Sequence, residues 1–125
     1  MPAILVVDDE PMLRAMIEFA LRLEGFPVMT AGSAAEALSA AHSNPGDVDL
    51  LITEVRLPGM TGPDLAANLM AEDPALRVLF LAGSLDAAPP LASPQFEVFA
   101  KPFPLNAFLA EVRKLMQPLP VPSLH

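Results

Sequence analysis

The sequence predicts an α/β fold built on a parallel sheet, and three observations carry that prediction. Four short apolar runs stand out: Ile4, Leu5, Val6 and Val7; Leu50, Leu51, Ile52 and Thr53; Val78, Leu79, Phe80 and Leu81; and Val98, Phe99 and Ala100. Runs of this length bounded by turn residues read as strands buried on both faces. Amphipathic helical patterns alternate with them, which makes the sheet parallel. Each run also ends at polar or turn chemistry, namely Asp8-Asp9, Glu54, Ala82-Gly83 and Lys101-Pro102. Ligands of open parallel sheets bind at the carboxyl ends of the strands, so three carboxylates and one ammonium are aimed at a single pocket.

The elements follow in order. After the first strand Pro11 suits the first turn of a helix, and Leu13, Met16, Ile17, Ala20 and Leu21 repeat at helical spacing up to Gly25. Residues 27–31 give a short strand that starts on a proline, which fits a sheet edge. Ser33 followed by Glu36 forms a capping-box pattern opening a second helix, with Ala34, Ala37, Leu38 and Ala41 on one face, and Asn44-Pro45-Gly46 ends it. The strand through Ile52 leads into the turn-rich Leu57-Pro58-Gly59-Met60-Thr61-Gly62, then a helix carrying Leu65, Ala66, Leu69 and Met70 that closes at Asp73-Pro74. Leu105, Phe108, Leu109, Val112, Leu115 and Met116 give the clearest helical stripe of the chain, stopped by Pro118. Between residues 85 and 95 a crossover helix is due, but Pro89, Pro90 and Pro94 remove donors and fix dihedrals, so this helix is expected to be short or absent. Prolines 118, 120 and 122 mark residues 118–125 as an extended tail or the start of a linker after a domain spanning residues 1–117.

With 125 residues, 53% hydrophobic and 18% charged, the chain fits one globular domain with its own core. It has no cysteine, hence no disulfide framework and no thiolate metal site, which favours a reducing compartment such as the cytoplasm. No apolar stretch reaches the roughly 20 residues that span a bilayer, and Met1-Pro2-Ala3 lacks the basic start of a signal peptide. A net charge of −8 with seven scattered Lys and Arg residues argues against direct nucleic-acid binding. There is no glycine-rich nucleotide loop, nucleophile elbow or histidine set for a metal hydrolase, so an independent enzyme is not expected, and His42 and His125 are assigned no chemistry.

Taken alone, Asp8, Asp9 and Glu10 before Pro11 make a good helix start. Glu54 at a second strand end changes the balance, because an uncompensated cluster of acids is electrostatically costly and a hard cation with oxygen ligands, magnesium above all, relieves it. Lys101 opposite these acids can neutralise them or hold a phosphoryl oxygen as a point charge.

Asp8-Asp9-Glu10, the stretch from Leu50 to Gly62 ending in Leu-Pro-Gly-Met-Thr-Gly, and Lys101-Pro102-Phe103 together resemble the receiver domain of bacterial response regulators, in the right order across nearly the whole chain. The resemblance implies a flavodoxin-like, doubly wound sheet of five parallel strands in the order 2-1-3-4-5. It also implies a phosphorelay role, in which an aspartate takes a phosphoryl group from a sensor histidine kinase or phosphotransfer protein with Mg2+ bound, and passes the signal to an output protein or domain. Asp8 and Asp9 match the family's acid pair, with Asp9 the more direct Mg2+ ligand, and Arg56 matches the residue whose backbone carbonyl faces the metal. Lys101 matches the lysine that contacts the phosphoryl group, and its bond to Pro102 is typically cis.

The departures concern the switch. Glu54 stands at the acceptor position where the family has aspartate, Ala82 where it has Thr or Ser, and Val98 where an aromatic often rotates on activation. Glutamate carries its carboxylate about 1.5 Å further out. A misplacement of 1 Å can cost ~100-fold in rate, so phosphorylation of Glu54 is expected to be slow or absent, with the longer side chain reaching toward Lys101 as a partial mimic. The Ala82 methyl cannot donate the hydrogen bond of a hydroxyl to a phosphoryl oxygen. Two readings follow: a phosphoryl-accepting signalling domain with an impaired acceptor, and a pseudo-receiver that acts as a constitutive protein-interaction module through the face near the last strand and last helix. The resemblance leaves the oligomeric state open.

Overall fold

The computed structural model describes residues 3–83 and 96–117. Strand β1 (Ala3–Val7) is followed by helix α1 (Pro11–Leu23), β2 (Val28–Ala31), α2 (Ala34–Ser43), β3 (Val48–Glu54), α3 (Gly62–Glu72), β4 (Arg77–Ala82), β5 (Phe96–Ala100) and α4 (Leu105–Met116). The strands form one parallel sheet in the order β2-β1-β3-β4-β5, as expected. The expected shortening or loss of the crossover helix between residues 85 and 95, and the tail from residue 118, lie outside the described residues.

Side chains alternate between the faces of a strand. Leu5, Val7, Leu51, Val78 and Phe80 therefore enter one core with Ala34 and Ala37 of α2 and Leu65, Ala66 and Leu69 of α3. Ile4, Val6, Leu50, Ile52, Leu79 and Leu81 enter the other, against Ile17 and Leu21 of α1 and Phe108, Val112 and Leu115 of α4. Two layers of helices thus sandwich β1, β3 and β4, which explains why those strands are continuous apolar runs. Each fully buried Leu, Ile or Phe contributes roughly 1.5–3 kcal/mol by leaving water.

Local signals hold with four corrections. The second strand starts at Val28 and not at Pro27, because proline has no N–H to give; its carbonyl still accepts from the Ile4 N–H at 3.0 Å. The Ser33 hydroxyl caps α2 by accepting from the Glu36 N–H at 3.2 Å, but the Glu36 carboxylate accepts from Gly32 N–H at 2.9 Å, one residue earlier than a capping box requires. Met16 belongs to the periodic stripe of α1 yet is 52% exposed, since the sheet covers a narrower arc than the apolar residues span. Leu105 opens the α4 stripe but is likewise exposed, one turn ahead of the first buried residue, Phe108. At the far end of α4, Arg77 of β4 donates to the carbonyl oxygens of Leu115 and, at 2.8 Å, of Gln117, which satisfies helix-end acceptors that have no partner within the helix.

Candidate functional site

The strand register brings the predicted residues together. Val7 pairs with Thr53, Glu54 with Leu81, and Ala82 with Ala100. The residues just beyond, Asp8 and Lys101, therefore share the carboxyl edge of the sheet with Glu54, as the four apolar runs predict. The Lys101 N–H donates to the Ala82 carbonyl at 2.8 Å, which extends the β4–β5 ladder by one rung before the cis Lys101–Pro102 bond turns the chain away.

Asp8 is completely buried, and its Oδ1 accepts from the Glu10 N–H at 2.8 Å. Asp9 is exposed, and its N–H donates to Glu54 Oε2 at 3.2 Å. The Lys101 ammonium donates to Glu54 Oε1 in a close ion pair and to Asp8 Oδ2 at 3.4 Å. Each of Asp8, Asp9 and Glu54 offers a carboxylate oxygen, and these oxygens lie within 4.8 Å of one another. Three hard oxygen donors at that spacing, one of them on a fully buried acid, fit a divalent cation such as Mg2+. Arg56 is exposed just past the end of β3.

Burial pushes the Glu54 carboxyl up to about 7; the hydrogen bond with Asp9 and the charge of Asp8 add to the rise, while Lys101 and the Asp9 N–H oppose it. For Lys101, burial acts to lower the ammonium, but Glu54 and Asp8 outweigh it and the group is raised. The rise at Glu54 comes first from burial and that at Lys101 from the surrounding acids; the charge of Asp8 contributes to both, so the pocket favours an added positive charge.

Ala82 is buried at the end of β4, with only a methyl at that position. Val98 on the edge strand β5 is 45% exposed. Two contributors escaped the sequence reading. Gly62 returns the chain against β3: its N–H donates to the Val55 carbonyl at 2.8 Å, and a Cβ there would sit 2.0 Å from the Glu54 carbonyl oxygen. Thr53 is fully buried, with its hydroxyl donating to the Glu54 carbonyl at 3.0 Å. A glycine at the end of a proline-and-glycine loop was the only signal for the first, and a lone hydroxyl in an apolar strand the only one for the second.

Comparison with known proteins agrees with this geometry. Residues 4–113 match the family model described as response regulator receiver domain. The chain is 36% identical over 117 residues to the probable transcriptional regulatory protein TcrX of Mycobacterium tuberculosis, covering 91% of this chain and 49% of TcrX. It is 30% identical to the sensor kinase CckA of Brucella abortus, covering 91% of this chain and 12% of CckA. The chain thus spans about half or less of the length of these relatives. Among solved structures, the response regulator TrrA of Thermotoga maritima, in complex with Mg2+ and BeF, superposes with a TM-score of 0.80 at 31% identity, covering 93% of this chain and 100% of TrrA. The receiver domain of a hybrid histidine kinase CckA superposes with a TM-score of 0.80 at 29% identity, covering 92% and 99% of the two chains. With the parallel sheet in the order 2-1-3-4-5 and the acid set at its carboxyl edge, the match over residues 4–113 means that this chain belongs to the response regulator receiver domain family.

Proposed function

We propose that this chain is a degenerate receiver domain: residues 1–117 keep the Mg2+ pocket of a cytoplasmic two-component signalling system, but phosphoryl transfer to Glu54 is slow or absent. The observation that carries this reading is the pairing of Glu54 with Lys101 and with the Asp9 N–H. The acceptor-position carboxylate already holds Lys101, the ammonium that would contact a phosphoryl group, without a donor. Asp8, Asp9, Glu54 and the Arg56 carbonyl would hold Mg2+, which when bound supplies positive charge to phosphoryl oxygens. Lys101 would hold a further oxygen as a point charge. The buried methyl of Ala82 offers no hydrogen bond to such an oxygen, so a ligand here has little to distinguish the two states of a switch.

The partners proposed are a sensor histidine kinase or phosphotransfer protein on the input side and an output protein or domain, with residues 118–125 as a tail or linker. A protein partner is supported by the outward stripe Met12, Met16, Phe19 and Leu23 on α1, and by a groove of about 440 Å³ lined by Leu13, Met16, Lys101, Pro102 and Phe103 beside the pocket. The second reading, a phosphorylation-independent interaction module, is favoured by Val98 and Leu105, both exposed apolar residues on the last strand and last helix.

Amide NMR spectra recorded with Mg2+, before and after adding acetyl phosphate, test the proposal. The expected result is no donor-dependent change in the natural chain, and in Glu54→Asp a change confined to the pocket because Ala82 cannot relay it. Donor-dependent shifts spreading through β4, β5 and α4 of the natural chain would overturn it.

A further inference from the structure

Arg14, one turn into α1, stands outside the acid set yet bonds to the backbone that carries it. Its Nη1 donates to the Asp8 carbonyl oxygen at 2.6 Å, and the side chain is half-buried. The same nitrogen lies against Gly32 in the β2–α2 turn: a Cβ at Gly32 would come within 3.1 Å of Arg14 Nη1 and 3.7 Å of the Glu36 carboxylate. Glu36 in turn accepts from the Gly32 N–H at 2.9 Å. The Asp8 N–H donates to the Ala31 carbonyl at 3.2 Å, so the peptide units on both sides of Asp8 are tied, one to the end of β2 and one to α1. The turn is further tied by the Glu10 N–H, which donates to Asp8 Oδ1 at 2.8 Å, and by the Asp9 N–H, which donates to Glu54 Oε2 at 3.2 Å.

We propose that Arg14 is a positioning residue for the acid pair: its guanidinium locks the β1–α1 turn to the β2–α2 turn, and so fixes the direction in which the Asp8 and Asp9 carboxylates face Glu54. Gly32 is the matching half of the device, since a Cβ there would meet Arg14 Nη1 at 3.1 Å and push the guanidinium by a few tenths of an ångström. The planar fork of arginine suits this role because it can lie along the glycine while still reaching the carbonyl, which a lysine ammonium on a flexible stem does less well. Groups that orient metal ligands without touching the metal typically govern affinity by 10–100-fold. The inference rests on the proposed Mg2+ pocket only for the second of its two readouts.

Arg22 supplies the control, because it makes the same kind of bond from the other end of α1, with Nη2 donating to the Val28 carbonyl at 2.7 Å, away from the acids. Amide hydrogen exchange of Asp9 and Glu10 is measured by NMR without metal in the natural chain, Arg14→Met, Arg14→Lys and Arg22→Met. Exchange at both amides is expected to rise about tenfold in Arg14→Met, the scale set by losing one hydrogen bond to a charged group, less in Arg14→Lys, and not in Arg22→Met. Mg2+ titration followed on the same amides is expected to weaken at least tenfold in Arg14→Met and stay within about twofold in Arg22→Met. Unchanged exchange in Arg14→Met, or an equal rise in Arg22→Met, overturns the proposal; if Arg14→Met does not fold, unchanged exchange in Arg14→Lys does so. Absence of saturable Mg2+ binding in the natural chain would reject the metal pocket, leaving the exchange comparison to judge Arg14.

Discussion

At Glu54 the ordinary preference of a carboxyl for ionisation meets a buried pocket already occupied by acids, and burial pushes the group from 4.5 up to about 7. A carboxyl whose folded value lies above its unfolded value binds more protons in the folded state across that interval. Its contribution to stability is therefore complete below about 4.5 and is lost as pH rises toward about 7. Without metal, the natural chain should lose thermal stability relative to Glu54→Gln as pH is raised from 5 to 7; a constant difference in melting temperature across that range would contradict the assigned environment. Lys101 is raised and stays charged throughout, so the ion pair strengthens as Glu54 ionises. At Gly62 the constraint is steric. A Cβ would sit 2.0 Å from the Glu54 carbonyl oxygen, a backbone atom that cannot swing aside, so Gly62→Ala should destabilise the fold by ~1–3 kcal/mol in urea denaturation, the usual range for overpacking.

Among the elements, α3 shows how a loop is converted into a helix start. Thr61 caps it, its hydroxyl accepting from the Asp64 N–H at 3.2 Å, with Pro63 in the first turn. Thr61→Ala should cost ~1 kcal/mol by denaturant titration with the spectrum of the pocket otherwise unchanged. The strands were legible because each is a short apolar run, and the acids were legible because they follow those runs directly: Asp8 after Val7, Glu54 after Thr53, Lys101 after Ala100. Gly62 and Arg14 were not, since their roles arise only when a loop or helix folds back on a strand end that is distant along the chain or out of pattern. Met16 and Leu105 were assigned to buried stripes because periodicity gives the direction of an apolar face but not how far the sheet covers it. Glu36 obeyed its capping pattern only in part, because the Gly32 N–H competed for its carboxylate.

For the whole molecule, the two-sided sheet ties the pocket to both cores. Phe108 of α4 is fully buried and contacts Phe103 in a stacked pair with centroids 5.0 Å apart, and Phe99 edge-on at 6.0 Å, which joins α4 to the turn after Lys101. Phe108→Ala should cost ~3–5 kcal/mol, read by urea denaturation, by opening a cavity under that turn. The same frame holds Asp8, Glu54 and Lys101 at one edge, so the chain keeps receiver architecture while Glu54 and Asp8 are already paired with Lys101. Intact mass after incubation with Mg2+ and acetyl phosphate, run on the natural chain beside Glu54→Asp, tests this most directly. The account predicts a phosphoryl adduct on Glu54→Asp and none on the natural chain; an adduct of comparable yield on the natural chain, mapped to Glu54, would contradict it.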